Sequence, residues 1–540
     1  MIPVKPVFPK EPVEHNEAQQ PSKVRSALKS LFKEFLSHST IHGMNYIGMA
    51  KSALEHLWWM TVFVLSVAGC GLLIQQVYHK WDENPVIVSF DEQPTPVWKI
   101  PFPAVTICPE AQIKTDLFNF TECLHTEFHS SSILDQARQE QLMAVLQLCD
   151  SFFHTFKMYT ENYPDVSPNI VSMLKNLSVT MEDTIKWCNY GKTFCREAFF
   201  QTLTDNGICY TYNGLSMKDM FNDGVLHGEY EYLTETKLAE NWTLEDGHSA
   251  GSPYLTHPAR ATGPATRYHI KVGSRIKDIE SYCKEEQGFK LVLHSPDEYP
   301  VPSLKYVLLP LEQDITVALR PQILTTAKVL HSYTPKRRRC FFNNERKLKF
   351  FRYYNQNNCE VECLTNHTLA TCGCVKFSMP RTEGTRVCGT PEMRCVLDAQ
   401  SYLIQSLAKI KLKETVVVSK CNCMQACSTI EYQTEITQSK YNSWQTLALR
   451  SAPIVPNATQ RVDETQTSKI TIYFKGDEFL SMRRGELFGL TDFIANCGGI
   501  LGLCLGFSLF STVELVYYFI AKPVLLIRNS QKTEDNKPVW

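Results

Sequence analysis

Two long apolar runs, one near each end of the chain, constrain the fold most. The first extends from Leu57 to Tyr78, and the second, from about Leu487 to Ile520, contains only two acids, Asp492 and Glu514. A helix rises ~1.5 Å per residue, so about 20 apolar residues are enough to cross the ~30 Å hydrocarbon layer of a bilayer. We therefore predict membrane-spanning helices at 57–78 and 486–520, which flank a large domain at 79–485.

The distribution of cysteine indicates which side of the membrane each part occupies. Seventeen of the 20 cysteines lie within 79–485, and neither tail contains one. Disulfides persist in oxidising compartments, which places this domain outside the cell. The first 20 residues lack the apolar core of a secretory signal peptide. We predict a plasma-membrane protein whose tails, 1–56 and 521–540, are both cytosolic.

Five N-x-S/T sequons fall inside the same domain, and neither tail has one, which agrees with an extracellular location. The predicted glycosylation sites are Asn119, Asn176, Asn241, Asn366 and Asn457. An alternative is a cytosolic domain that binds zinc through pairs such as Cys372-Gly-Cys374 and Cys421-Asn-Cys423. Zinc sites favour the wider C-x2-C spacing, and no paired histidines accompany these cysteines, so disulfides are favoured over zinc.

Charge and motifs exclude several classes of function. Lys and Arg number 55 against 56 Asp and Glu, and no basic run is longer than four residues, so the sequence does not favour a nucleic-acid partner. The sequence contains no glycine-rich phosphate loop, no H-E-x-x-H and no G-x-S-x-G. We therefore predict that the protein is not an enzyme and needs no cofactor or metal.

The central domain shows both strand and helix patterns, which predicts an α+β fold. The predicted strands are Phe102–Cys108, Gly207–Asn213, Tyr268–Val272, Phe289–His294, Ile430–Thr437 and Ser468–Phe474. Predicted helices lie within 131–200 and at 348–354 and 397–410, the last two side by side. Ten cysteines between Cys340 and Cys427 indicate a segment stapled by disulfides.

The second apolar run carries a glycine stripe that two kinds of structure would explain. Gly498, Gly502 and Gly506 stand four residues apart and share one helical face, as in a close helix–helix contact. The stripe ends at Gly506-Phe507-Ser508 in the middle of the run. A hydroxyl and freed carbonyls are costly there unless they face water, which favours a pore over simple packing.

In order along nearly the whole chain, these motifs resemble the degenerin and epithelial sodium channel family, which includes the acid-sensing channels. The matching motifs are His42-Gly43, Phe102–Cys108, Gly207–Asn213, Cys421-x-Cys423-x-x-x-Cys427 followed by Tyr432, and Gly498-Gly499 to Gly506-x-Ser508 followed by Glu514. The segment from Asn358 to Pro380 is further similar to the insect pickpocket branch.

The resemblance implies a homo- or heterotrimer of related subunits in membrane lipid, with a β-sheet palm, peripheral helices, and a sodium-preferring, often amiloride-blocked pore. It assigns the selectivity filter to Gly506, Phe507 and Ser508. It assigns gating to His42-Gly43 and to Ala495 or its neighbour Asn496, the position at which bulky substitutions hold degenerins open.

The resemblance also implies seven disulfides in the domain. The pairs are Cys108 with Cys209, Cys188 with Cys195, Cys340 with Cys427, Cys359 with Cys423, Cys363 with Cys421, Cys372 with Cys395, and Cys374 with Cys388. Cys123, Cys149 and Cys283 remain, and the first two could pair.

Three functions compete: a ligand- or force-gated sodium channel, a two-pass receptor or accessory subunit that needs a partner to conduct, and an ATP-gated trimeric channel. The cysteine pattern and Gly506-x-Ser508 disfavour the last.

Val396–Ser401 carries only one acid, Asp398, where acid-sensing relatives build a proton pocket, which disfavours proton gating by that route. Phe507 stands where many relatives have a small residue, which leaves the strictness of sodium over potassium open. The family serves both epithelial sodium and liquid transport and sensory transduction, and the sequence does not name the stimulus.

Overall fold

The chain forms two compact units in a computed structural model. The model describes residues 30–83, 85–129, 134–149, 169–225, 242–263, 266–411, 421–442 and 465–525. The first unit comprises the chain up to Ile87 and the chain from Glu486 onward, and the second comprises Val88–Gly485.

Helices dominate the first unit, and both helices and strands build the second. The helices are α1 (Met44–Met49), α2 (Ala53–Glu83), α3 (Phe120–His129), α4 (Gln136–Leu146), α5 (Ile170–Leu177), α6 (Met181–Thr184), α7 (Met217–Met220), α8 (Pro335–Arg338), α9 (Gln356–Cys372), α10 (Met393–Lys411), α11 (Leu490–Leu505) and α12 (Leu509–Val516). The strands are β1 (Val86–Phe90), β2 (Thr95–Pro96), β3 (Ala104–Pro109), β4 (Ile185–Tyr190), β5 (Thr193–Phe194), β6 (Phe200–Thr204), β7 (Gly207–Tyr212), β8 (Arg267–Arg275), β9 (Phe289–His294), β10 (Val307–Leu309), β11 (Gln313–Thr326), β12 (Thr429–Lys440), β13 (Thr465–Phe474), β14 (Glu478–Phe479) and β15 (Met482–Glu486).

Among the described residues, α2 alone is a single helix long and apolar enough to cross a membrane. It extends beyond the predicted 57–78 at both ends. The second apolar run is not one straight helix, because α11 and the helical stretch Leu509–Leu525 meet at a bend of 74°. The two pieces pass the same test only when they are taken together as one broken span.

The second unit contains two main sheets. The larger has eight strands in the order β1-β15-β11-β13-β8-β4-β5, with β12 also paired to β11. The 14-residue strand β11 is its centre, antiparallel to β12 and parallel to β13 and β15. The smaller sheet, β10-β9-β3-β7-β6, is antiparallel throughout. All six predicted strand segments coincide with or overlap strands of these sheets.

Aromatic packing holds the core of this unit together. Phe102, which is fully buried, packs edge-to-face against Tyr190, Tyr268 and Phe474, with ring centroids 5.2–5.9 Å apart. Edge-to-face pairs add about 0.5–1.5 kcal/mol each to the stabilisation from burial alone. The predicted β-branched strand at Phe102–Cys108 therefore lies at the centre of the hydrophobic core.

The prediction of helices throughout 131–200 is wrong in its last part. Within this segment the last described α-helix ends at Thr184, β4 and β5 then form a hairpin, and β6 follows a short 3-10 turn at Arg196–Ala198. Buried and partly exposed residues are interspersed along β4, as in a half-buried strand, and Gly191 makes the turn with a φ of 59°. Residues 131–133 and 150–168 lie outside the described residues.

The prediction of a helix at 348–354 is also wrong. These residues lie in turns and bends, and Phe350, Phe351 and Tyr354 are buried in a second hydrophobic cluster. The helix begins two residues later, at α9, because the Asn355 side chain accepts a hydrogen bond from the Asn358 N–H at 2.7 Å. The second predicted helix, 397–410, lies within α10, and Cys372–Cys395 joins the two helices.

Eight disulfides cross-link the second unit, and five of them lie within 340–427. The pairs are Cys108–Cys209, Cys149–Cys283, Cys188–Cys195, Cys340–Cys427, Cys359–Cys423, Cys363–Cys421, Cys372–Cys395 and Cys374–Cys388. The pairing of Cys123 with Cys149 that the sequence left possible does not occur. Cys149 bonds Cys283, 134 residues away, and Cys123 is a buried free thiol.

Replacing both Cys340 and Cys427 by serine is expected to lower the free energy of unfolding of the 340–427 segment by about 2–4 kcal/mol. The bridge spans 87 residues, and although the nested Cys359–Cys423 bridge shortens the loop that it closes, even a loop of about 15 residues restricts the unfolded chain by about 3 kcal/mol. Chemical denaturation followed by proteolysis of the segment measures the effect. Cys123→Ala serves as the control, since it removes a thiol and no bridge. Equal stability of the double variant and the control would contradict the expectation.

Candidate functional site

The most distinctive local feature of the first unit is the break between α11 and α12. Gly506 ends α11 in the left-handed conformation, with a φ of 62°, and its N–H donates to the Gly502 carbonyl at 2.9 Å. Ser508 begins α12 as its N-cap, and its hydroxyl oxygen accepts from the Ser511 N–H at 3.3 Å. The break therefore falls on Gly506, Phe507 and Ser508, the three residues to which the resemblance assigns a filter.

The N-terminal chain reaches this break. The His42 N–H donates to the Leu505 carbonyl at 2.8 Å, which satisfies an acceptor left open at the end of α11. A Cβ atom on Gly506 would lie only 2.5 Å from Cδ2 of the His42 ring. The ring thus occupies the space that a side chain at position 506 would need. Two predicted sites that are distant in sequence, His42-Gly43 and the 506–508 segment, are in contact.

Gly43 reverses the chain directly after this contact. Its φ of 87° is a conformation that glycine adopts at no steric cost, and α1 begins at the next residue. The turn is closed by the Met44 N–H, which donates to the Ile41 carbonyl at 3.2 Å. The chain reversal after His42 therefore depends on a conformation that favours glycine at position 43.

Three further contacts connect the N-terminal segment, defined as residues 30–42, with the residues that follow the break. The buried ring of Phe35 packs against the rings of Tyr518 and Phe519, at 5.6 and 5.2 Å. The Lys522 ammonium lies 2.5 Å from the Glu34 carboxylate. The third contact is made by Thr40, which donates to the Glu514 carboxylate through its N–H at 3.1 Å and its hydroxyl at 3.0 Å. The sequence analysis did not identify Glu34, Phe35 or Thr40 as candidate site residues.

Ala495 and Asn496 lie apart from the break. Both are exposed on α11, about 15–17 Å from Gly506 along the helix axis at ~1.5 Å per residue. The Asn496 amide donates to the Asp492 carbonyl at 2.8 Å, and the Asp492 carboxylate caps the helix by accepting from the Gly489 N–H. The structure therefore holds two separate candidate regions on one helix.

The described sequons of the second unit differ in their surroundings. Asn176 and Asn366 are exposed, whereas the Asn119 side chain is half-buried and accepts from the Glu122 N–H at the start of α3. Asn241 and Asn457 lie outside the described residues. Asp398, the single acid of the 396–401 segment, is exposed and lies 3.9 Å from Arg394 on the same helix.

Two neighbouring acids, Asp297 and Glu298, lie in the loop after β9, where the backbone of Asp297 contacts the start of α9. The carbonyl of Asp297 accepts from the side-chain amides of Asn355 and Asn358, each at 2.9 Å. Burial, together with the neighbouring Asp297 carboxyl, raises the pKa of Glu298 to about 8. A carboxyl group with such a pKa is largely protonated at neutral pH.

We expect the free energy of unfolding of this unit to fall as pH rises from about 4.5 to about 8, since the folded state binds the Glu298 proton more tightly than the unfolded state does. Glu298 keeps some exposure, so the loss is about 1–2 kcal/mol, less than the full pKa shift implies. Denaturation of purified protein across this pH range measures it. Glu298→Gln should remove this dependence, whereas the exposed-site control Glu92→Gln should not. A pH profile that Glu298→Gln leaves unchanged would contradict the assignment.

The comparisons with known proteins agree on ion channels. Residues 35–518 match the family described as amiloride-sensitive sodium channel. The chain is 26% identical over 525 residues to pickpocket protein 28 of Drosophila melanogaster, covering 95% of this chain and 82% of that protein. It is 23% identical to the Drosophila melanogaster sodium channel protein Nach (94% and 89%) and 23% identical to the human bile acid-sensitive ion channel (91% and 86%). The chain therefore belongs to the amiloride-sensitive sodium channel family, and the predicted resemblance to that family and its pickpocket members is confirmed.

Proposed function

We propose that the protein is a subunit of a sodium-preferring, amiloride-sensitive cation channel that carries Na⁺ down its gradient. The observation that carries the proposal is the break at 506–508. There the helix is interrupted within an apolar run, and the hydroxyl of Ser508 lies at the interruption. Within a membrane such groups are tolerated where they line a water-filled path. Membership of the family and the names of the relatives support the same function.

The proposed channel is a trimer of this chain or of this chain with related subunits, set in the lipid of the plasma membrane. The spans are α2 and the broken helix that includes α11 and α12, and the domain at 79–485 is extracellular, with both tails cytosolic. The disulfides of the second unit support this topology, because such bonds persist in an oxidising space. The proposed roles are epithelial sodium and liquid transport or sensory transduction.

Selectivity is proposed to reside at Gly506, Phe507 and Ser508. A Na⁺ ion that enters a narrow point must exchange water for other oxygens, and three copies of the Gly506 carbonyl and Ser508 hydroxyl would supply them around one axis. The contact with His42 supports a fixed geometry for these oxygens. The backbone N–H of His42 bonds the Leu505 carbonyl, which directly precedes the Gly506 residue. His42-Gly43 is proposed as a gating element because it forms the turn that maintains this contact.

The test is voltage clamp of cells that express the chain alone and then with a related subunit. Replacement of external Na⁺ by an impermeant organic cation should abolish inward current, and amiloride should block it. Ser508→Ala should shift the reversal potential while surface protein persists. Surface protein that yields no sodium current alone, and that changes nothing in a partner's current, would overturn the proposal and favour an accessory receptor without a pore.

A further inference from the structure

A small cavity with aromatic walls lies beside the β4–β5 hairpin of the second unit. Its volume is about 90 Å³, and the rings that line it belong to Tyr190, Phe194, Phe200, Tyr212 and His257. A single water needs about 10–15 Å³ of such space. The cavity can therefore hold a chemical group of several non-hydrogen atoms.

The hydrophobic core fixes two of these rings. The Tyr212 ring stacks on the ring of Tyr268, with centroids 4.7 Å apart. The Tyr190 ring packs edge-to-face against Phe102 at 5.2 Å. The centroids of Tyr190 and Tyr212 are 6.0 Å apart and their planes meet at 50°, so the two rings form a corner of the cavity wall. Both residues are buried, and the corner is in place before any ligand arrives.

Two other residues of the wall face solvent. Phe194 in β5 is 78% exposed and Leu255 is 55% exposed, and both line the cavity. The Cys188–Cys195 bridge joins β4 to the residue directly after Phe194, which holds the exposed ring beside the buried corner. A ligand can therefore enter on this side without a change in the core.

The wall of the cavity carries no formal charge in the described part of the chain, because no Asp, Glu, Lys or Arg is among the residues that line it. Burial raises the pKa of Tyr190 and of Tyr212 above the ordinary tyrosine value, so both hydroxyls stay protonated at neutral pH. The faces of aromatic rings attract a cation within about 6 Å of the ring centroid. Without a carboxylate, such a site favours a cation that has no N–H groups to satisfy.

We propose that this aromatic cavity binds the trimethylammonium group of a choline-type ligand. The methyl groups present an apolar surface to the rings, and the positive charge is attracted to the faces of Tyr190 and Tyr212. The remainder of the ligand leaves the cavity past Phe194 and Leu255. The inference is independent of the proposed function, because it concerns binding to the second unit and not conduction.

The test is saturation-transfer NMR of choline with the purified full chain in dodecyl maltoside, a detergent that contains no ammonium group. Choline should bind saturably at millimolar concentrations, and at least about tenfold more tightly than its uncharged isostere 3,3-dimethylbutan-1-ol. Methylammonium, which keeps the charge but is more strongly hydrated, should bind more weakly than choline. Equal affinity for choline and the alcohol, or no saturable binding of choline, overturns the proposal.

Variants locate the binding site. Phe194→Ala, at an exposed position that the fold tolerates, should weaken choline binding at least about twofold, and Tyr212→Leu at least about tenfold. Tyr190→Phe should retain the parent affinity, because the ring remains and the hydroxyl has no hydrogen-bond partner among the described residues. The control is Tyr282→Ala, which removes an exposed ring of the same unit that does not line the cavity. Parent affinity in Phe194→Ala overturns the site even if Tyr212→Leu fails to fold.

Glycerophosphocholine distinguishes two sources of the trimethylammonium group. If the cavity takes a lipid headgroup, glycerophosphocholine should bind as tightly as choline does. If it takes a small soluble molecule, choline should bind and glycerophosphocholine should not. Both results support the cavity as a trimethylammonium site, provided that Phe194→Ala weakens the binding, and binding that this variant leaves unchanged overturns it.

Discussion

Gly506→Ala is expected to reduce sodium current at least about tenfold while protein at the cell surface persists. The left-handed conformation of Gly506 costs a residue with a Cβ about 1–2 kcal/mol, and 1.4 kcal/mol already corresponds to tenfold in an equilibrium. The new methyl group would also lie 2.5 Å from the His42 ring, so that ring must move. Voltage clamp combined with surface biotinylation measures both quantities.

Gly498→Ala is the matched control for this variant. It lies on the same glycine stripe, but a Cβ there meets no atom of the described residues within 4 Å. We expect its current to remain near that of the parent. A comparable loss in Gly498→Ala would move the cause from the break to the packing of the stripe against another subunit.

The double variant His42→Ala/Gly506→Ala tests the contact directly. Each single change should lower the current, but their effects should not add, because the smaller residue at position 42 removes the overlap that the methyl group creates. Fully additive losses would contradict the idea that the two residues share one space.

Ala495→Val or Ala495→Phe is expected to yield steady sodium current without a stimulus. In the proposed trimer, three copies of this exposed residue approach one another when the pore closes, and only a small side chain leaves room. A bias of ~2.7 kcal/mol against the closed state changes the ratio of open to closed channels about a hundredfold. The measurement is the amiloride-sensitive holding current in the absence of any stimulus.

A series of side-chain sizes at this position supplies the control. Ala495→Gly should remain as silent as the parent, while current should increase from valine to phenylalanine. The same series at Asn496 locates the constriction between the two neighbours. If variants at both positions reach the surface and stay silent, alone and with a partner subunit, neither residue is the closed-state constriction.

Local pattern was sufficient to predict the strands, and it marked Gly506–Ser508 as unusual within an apolar run, although it did not predict that the helix breaks there. Alternating and β-branched runs such as Phe289–His294 report burial on the faces of a sheet, and they became strands. Gly506 and Ser508 are poor residues for a helix interior in an apolar run, and the helix breaks between them. These signals lie within a few residues of the structure that they specify.

The misinterpreted segments depend on more distant partners. The aromatic run at 348–354 has helical spacing, but Phe350 and Phe351 are buried against residues far away in sequence, and tertiary packing overrides the local pattern. Cys283 likewise has no local signal for its partner, because spacing alone leaves disulfide connectivity undetermined. The contact between Thr40 and Glu514 joins residues 474 apart, and a hydroxyl next to His42-Gly43 gives no indication of it.

The overlap between the His42 ring and the missing side chain of Gly506 has a consequence for the evolution of this chain. Two positions that share one volume cannot be selected independently, since a larger residue at either requires a smaller residue at the other. We expect positions 42 and 506 to covary across relatives. A lineage that acquires a side chain at 506 should carry a compact residue at 42, and reconstructed ancestors should show the change at 42 first.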